Sequence, residues 1–187
     1  MEKWIPFFEP YFESLEATQT FISACEAGKG APPMLMMHQT QRLVSLAEDI
    51  EKIRKKDSLR LLFLLICAEA VAKLQDGFTT DGKSHFYTWK FFRDFLSTGD
   101  KQRIEAGFGD VDNGGLLSLK EAVDYLYAIR CDMVHEGNYW GFNFSSDGTT
   151  TITAGPTVNI GVRIRYPEFR DMVVRGAVKA IQSKLPT

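Results

Sequence analysis

Residues Ser118–Gly137 read SLKEAVDYLYAIRCDMVHEG, and this stretch decides what the rest of the chain has to build. Ser118 and Glu121 have the spacing of a capping box. In that motif the hydroxyl accepts an amide proton of the first turn, and the carboxylate reaches back to the N–H of the cap. Leu119, Val123, Leu126, Ile129, Met133 and Val134 then recur at steps of three and four, so one stripe faces a core. Gly137 supplies the left-handed residue that ends a helix. The stretch predicts a helix of roughly five turns with both ends signed.

Working upstream, Leu59–Leu74 is apolar on nearly every side. A helix that opens at Asp57 or Ser58 and ends near Gly77 therefore belongs in the middle of a bundle. Glu69 stands out on it, because a carboxylate in such surroundings needs a partner. That partner is Arg130, or a Lys or Arg in a structural salt bridge, unless Glu69 lies on the helix's one wet edge. Ser84–Ser97 carries Phe86, Trp89, Phe92 and Phe95 at helical steps and predicts an aromatic-rich core helix. The polar loop Gln75–Lys83 precedes it. Residues 99–115 read as a connector with a short helix around Lys101–Ala106.

Nearer the start, residues 1–9 read as an irregular lead-in that packs Trp4, Phe7 and Phe8 on the body. Pro10 suits the first turn of a helix to about Ala27, closed by Gly28. After the loop Gly28–Pro33, Met34–Lys56 predicts a second helix with Leu35, Leu43, Leu46, Ile50 and Ile53 as its stripe. The cluster Met34, Met36 and Met37 reads as adaptable core filler.

Downstream of Gly137 the texture changes. Tyr139–Ser145, Thr149–Ala154 and Thr157–Arg165 alternate and are rich in Thr, Val, Ile and aromatics, with Ser146-Asp147-Gly148 and Gly155-Pro156 between them. They predict a small antiparallel hairpin or three-stranded sheet over residues 138–166. A last helix then runs from Pro167 to about Leu185. The 187 residues read as one mainly α-helical domain, the first 33 forming the lead-in and first helix.

Composition narrows the function classes. Hydrophobic residues make up 44% and charged residues 25%, an ordinary globular balance. The net charge of −2 means that any nucleic-acid contact comes from a local patch and not from a global field. Cys25, Cys67 and Cys131 are odd in number and widely spaced, which suits a reducing cytosol better than a disulfide framework. MEKWIPFFEP lacks the basic and apolar regions of a signal peptide, so the expected location is cytoplasmic. The most apolar run is too short in its uncharged part for a bilayer, which needs roughly 20 apolar residues.

The chemistry concentrates at the end of the quoted stretch, where Arg130 and His135 stand five positions apart. On a helix that is roughly 140° of rotation and about 7.5 Å of rise, so they do not stack, although a long Arg can curl toward the imidazole. His135 lies in the last turn, where the helix dipole favours positive charge. Asp132, three residues back, is placed to orient the ring. What the family resemblance of this pair implies is metal-independent RNA cleavage, in which a base takes the proton of a ribose 2′-hydroxyl, which attacks the adjacent phosphorus, and an acid protonates the departing 5′-oxygen. Histidine suits either proton step. A guanidinium suits the charge-rich phosphorane, for which lysine is only a point charge.

This R-x4-H motif, within L-Y-x-I-R-x-x-x-V-H-E-G, resembles the HEPN (higher eukaryotes and prokaryotes nucleotide-binding) domain family, and its Apea-like branch in particular. The resemblance extends to A-E-A at Ala68–Ala70 and to FFRDF at Phe91–Phe95, and covers most of residues 57–185. It implies an all-α bundle, usually dimeric, and in many members a metal-independent ribonuclease of toxin or defence systems. On that pattern Arg130 and His135 are the catalytic residues, Glu69 and Asp132 support them, and neighbouring copies share one cleft. RNA, a second copy and an antitoxin or regulatory protein are the partners it implies, with no cofactor. Cys131 stands where active members commonly carry a polar residue, and Gly137 stands where a toxin subgroup carries tyrosine. Gly137 argues against that subgroup, whereas Cys131 and the mild net charge favour the other reading, a non-catalytic dimerisation or nucleotide-binding module.

Other constellations read as structure. Asp110–Glu121 places acidic residues at positions 1, 3 and 12 of an EF-hand-like loop and glycine at position 6. Gly114 removes the ligand at position 5, and Glu121 already has a capping role, so a plain turn is the expectation. Arg54-Lys55-Lys56 complements a helix C-terminus. Arg163 and Arg165, with Arg170 and Arg175 beyond, read as solvated charge or as a phosphate track. His38 and His85 have no partners at metal-ligand spacing, and no Walker, Rossmann or serine-hydrolase signature is present.

Overall fold

The computed structural model describes residues 3–50, 53, 57–78, 80, 82–146, 150–154 and 158–185. Over these residues the chain runs α1 (Ile5–Phe8), a 3-10 turn (Glu9–Tyr11), α2 (Leu15–Ala27), α3 (Pro32–Asp49), α4 (Asp57–Asp76), α5 (Ser84–Asp94) and α6 (Thr98–Gly107). It continues through β1 (Phe108–Asp110), α7 (Leu119–Glu136), β2 (Thr150–Ala154), β3 (Val158–Val162) and α8 (Tyr166–Gln182). The molecule is a mainly α-helical bundle with a small antiparallel sheet.

Helix α4 is the axis of the bundle. It packs against α3, α5, α7 and α8, and no residue from Asp57 to Gln75 is exposed. Leu61, Leu64, Leu65, Cys67, Ala68 and Val71 are almost wholly buried on it. A helix apolar all round has no wet side to offer, so its neighbours must surround it. Helix α8 supplies the long opposite wall through Phe169, Met172, Val173, Ala177 and Ile181. It lies close to α5 because residue 176 is glycine. A Cβ there would come within 2.8 Å of Phe91 Cζ and 3.1 Å of Leu96 Cδ2.

Several expectations need correction. The lead-in is not irregular, since Ile5–Phe8 and Glu9–Tyr11 form short helical turns with a proline at the start of each. The following helix does not open at Pro10. It opens at Leu15, where the Ser14 hydroxyl accepts the Ala17 N–H at 3.1 Å. On α3 the buried face is Pro33, Met36, Met37, Thr40, Val44 and Ala47. Leu35 and Leu46 are exposed, as is Ile53 beyond the helix. Both sets recur at helical steps, but close packing favours the side whose small and flexible residues let α4 approach. The methionines are therefore core filler. The expected extension to Lys56, with the basic run Arg54-Lys55-Lys56, lies outside the described residues.

The sheet also differs in its membership. It has three strands in the order β1-β3-β2, both pairs antiparallel, with Phe108 opposite Val162 and Thr150 opposite Val162. Its third strand comes from the connector before α7, and Tyr139–Ser145 is not a strand. Those residues run along the start of α4 instead. The Ser58 hydroxyl donates to the Phe142 carbonyl and accepts the Phe142 N–H, and Asp57 accepts the Phe144 N–H at 3.0 Å. Phe142 and Phe144 are buried beside them. Side chains thus satisfy backbone groups that a strand would have offered to a ladder. The turns Ser146-Asp147-Gly148 and Gly155-Pro156 lie largely outside the described residues. Arg103 of α6 ties the sheet end to α8, donating to Glu168 and to the Arg163 carbonyl.

Candidate functional site

Helix α7 is closed as its sequence requires. Ser118 Oγ accepts the Glu121 N–H, the Glu121 carboxylate accepts the Ser118 N–H at 2.9 Å, and Gly137 adopts φ 67°. Leu119, Ala122, Val123, Leu126, Ile129 and Met133 face the core. Val134 does not: it is 51% exposed.

The structure brings Arg130 to Glu69. The guanidinium Nη2 lies 3.6 Å from Glu69 Oε2, and the other carboxylate oxygen receives Lys73 Nζ at 2.7 Å. These side chains are 19% and 12% exposed for Arg130 and Glu69. Glu69 thus faces two cations that the sequence offered as alternatives, the arginine across the bundle and a lysine one turn on. The guanidinium also sits over the Tyr127 ring, 5.5 Å from its centroid. It is thus directed to the N-terminal side of α7 and toward α4, and not along the helix toward His135. Partial burial raises the Tyr127 phenol, with the Cys131 thiol adding to the effect and Arg130 opposing it.

His135 occupies the last turn and is exposed. Asp132 is exposed as well, and among the described residues its carboxylate makes no hydrogen bond to the ring. Its backbone carbonyl instead receives the N–H groups of Gly137 and Asn138 and closes the helix. Tyr139 and Trp140 follow directly, 43% and 52% exposed, with their rings edge to face at 5.1 Å. The chain end of α7 therefore combines an open imidazole, a half-shielded arginine and three uncovered apolar side chains, Val134 among them. Arg130 and His135 are one and a half turns apart on it, and no contact joins them within one chain.

A second histidine, for which no role was expected, stands on the same face. His85 in the first turn of α5 lies 2.8 Å from Asp124 Oδ1, and Lys120 donates to the other oxygen at 2.5 Å. The His85 ring packs edge-on to Tyr127 at 4.8 Å, so Tyr127 lies between His85 and Arg130. Partial burial would raise the Asp124 carboxyl, but its bonds to Lys120 and His85 outweigh that and lower it. No spacing rule links His85 to Asp124 across 39 residues; only the packing of α5 on α7 joins them.

The remaining candidates are engaged elsewhere. Asp110 accepts the N–H groups of Asp112 and Asn113 and the Asn113 amide, which together hold its carboxyl below the usual range. Asp112 bonds Asn159 across the sheet, and Glu121 serves the cap. The carboxylates of the EF-hand-like loop thus shape a turn. No group of three or more His, Cys, Asp or Glu that could hold a metal occurs among the described residues. Arg170 pairs with Glu48 and Asp171, and Arg175 with Asp100. His38 stacks on Trp4 at 4.5 Å. Among the described residues no helix is long and apolar enough to cross a membrane. No protein-family model, curated protein or solved structure matches this chain.

Proposed function

We propose that this chain is a HEPN-like, metal-independent endoribonuclease of toxin or defence type, acting as a homodimer through the C-terminal end of α7. The observation that carries this reading is the contrast between its two principal residues. Arg130 is held half-shielded by Glu69 and Tyr127, whereas His135 is open to solvent on the same helix. A guanidinium fixed in place before substrate arrives can stabilise developing phosphorane charge with little reorganisation. An imidazole must reach a proton in solvent or on substrate, so it has to be accessible. In a dimer about a two-fold axis, His135 of one copy and His135 of the other would divide the base and acid steps. Val134, Tyr139 and Trp140 supply apolar area beside the histidine for such a contact.

The test is cleavage of several unrelated RNAs by pure protein in EDTA, comparing wild type with His135→Ala and Arg130→Ala. Wild-type cleavage that both substitutions reduce by about a hundredfold or more supports the reading. Absence of cleavage by wild type, or equal rates in all three, contradicts it. A second reading, a non-catalytic dimerisation or nucleotide-binding module, is favoured by one specific observation. The guanidinium is turned to Glu69 and away from His135, as a salt-bridged seam would have it. Dimerisation that persists in a catalytically silent protein would select that reading.

A further inference from the structure

The described residues leave an open cleft of about 820 Å³ between the N-terminal turns and α8, with no residue of α7 among those that line it. Small-molecule sites commonly measure roughly 300–1,000 Å³ and combine an apolar wall with a few convergent polar groups. This cleft has that division. One wall is Pro6, Phe7, Pro10 and Phe12, contributed by the turns at the start of the chain. The other is the charged flank of α8 with Glu48 of α3.

The charges on that flank are segregated. At one end Arg170 donates to Glu48 Oε1 at 2.5 Å and to Asp171 Oδ1 at 2.7 Å, and Tyr11 donates its hydroxyl to the same Asp171 oxygen at 2.9 Å. One guanidinium thus answers two carboxylates. Among the described residues Glu48 Oε2 and Asp171 Oδ2 receive no protein donor, and Glu48 is 41% exposed. At the other end Arg175 is matched by Asp100 but keeps its Nη1 group free, and its side chain is 45% exposed. Among the described residues Lys179 meets the Asp94 carbonyl, at 3.4 Å, and no other acceptor, and it is exposed. Glu13 adds a further carboxylate on the aromatic rim. Beyond the Arg170 ion pairs, the acceptors left over, Glu48 Oε2 and Asp171 Oδ2, lie toward the start of the α8 flank and the freer donors of Arg175 and Lys179 one and two turns on, while the formal charges of the lining cancel.

Such a surface discriminates against a simple anion or cation and favours a molecule carrying both signs. Along a helix Asp171 precedes Arg175 by about 6 Å and Lys179 by about 12 Å. An extended peptide advances about 3.3 Å per residue, so the free ends of a chain of about two or three residues span that interval. We infer that the cleft binds short zwitterionic peptides, with the terminal ammonium on Glu48 and Asp171, the terminal carboxylate on Arg175 and Lys179, and apolar side chains on the Phe7–Phe12 wall.

The site is independent of the α7 end, so either can fail alone. Calorimetric titration of the full chain with alanyl-phenylalanyl-alanine should show saturable one-to-one binding, at a dissociation constant of about 1 mM or tighter. N-acetylation and C-amidation of the peptide should each weaken binding at least about tenfold, or roughly 1.4 kcal/mol. Glu48→Gln should weaken the preference for the free amine, with Asp171 retaining part of it, and Lys179→Ala should weaken the preference for the free carboxylate, with Arg175 retaining part of it. Lys179 is exposed and Glu48 half-buried, and circular dichroism is the check that the variants are folded. The peptide blocks test the same point without any substitution. No saturable binding, equal binding of blocked and free peptides, or tighter binding of adenosine monophosphate than of the tripeptide would overturn the inference.

Discussion

At the scale of single residues, burial decides which groups can react. Cys25 and Cys67 are fully buried, and burial pushes both thiols up to about 12. Cys131 is partly exposed on α7. Labelling with a thiol reagent at pH 8 should therefore modify one cysteine per chain in the native protein, Cys131, and three after unfolding; peptide mapping checks this, and rapid native labelling of Cys67 would contradict the packing around α4. Close approach is the other residue-scale constraint. Gly176→Ala would press a methyl group against Phe91 and Leu96, which can yield only by repacking the core. A loss of about 1–3 kcal/mol is expected in chemical denaturation. Glu69 shows why the functional reading of a residue need not exclude the structural one, since its carboxylate serves Lys73 and Arg130 together.

At the scale of elements, α7 is the clearest case of local signals agreeing with the fold. Its cap, apolar face and terminal glycine each specify the same helix, and Ser118→Ala should cost about 1 kcal/mol by removing one of the two reciprocal cap bonds. A matching loss in urea midpoint, with Glu121→Ala costing no more than Ser118→Ala, would check the cap. The mainly helical architecture and the central place of α4 were legible because hydrophobic periodicity records burial directly. Three features were not. On α3, two stripes fit the helical period, and only the partner helix selects Met36, Met37 and Val44 over Leu35 and Leu46. Strand β1 has three residues, too few to show any period, and it exists because β3 offers it an edge. Tyr139–Ser145 has the composition of a strand, yet Ser58 and Asp57 take its backbone groups. The candidate site divides the same way. Arg130, His135 and Glu69 stood out by type and spacing, whereas His85 with Asp124, and the cleft lined by Tyr11, Glu48 and Asp171, are made by tertiary packing and carry no sequence spacing.

At the scale of the whole molecule, the buried acids set an alkaline limit on stability. Burial raises Cys25 and Cys67 from 9.0, and Tyr166 from 10.0, each to about 12. A group whose folded value lies above its unfolded one contributes stability that is intact below the unfolded value and is lost as pH rises through the folded one. Stability should therefore hold up to about pH 9 and decline toward pH 12; melts that are unchanged at pH 11 would contradict the burial of these groups. The proposed dimer belongs to this scale too. A dimer through the α7 ends should dissociate when Trp140 is changed to Glu, which sedimentation can read, while the monomer keeps its helical content. The proposal for the molecule rests on chemistry at the 2′-hydroxyl, and one experiment addresses that directly. Wild type and His135→Ala are compared in EDTA on an RNA and on the same sequence methylated at every 2′-oxygen. Wild type is expected to cut only the unmodified strand, and His135→Ala to cut neither at more than about a hundredth of that rate. Cleavage of the methylated strand, or an undiminished rate without the imidazole, would contradict the proposal.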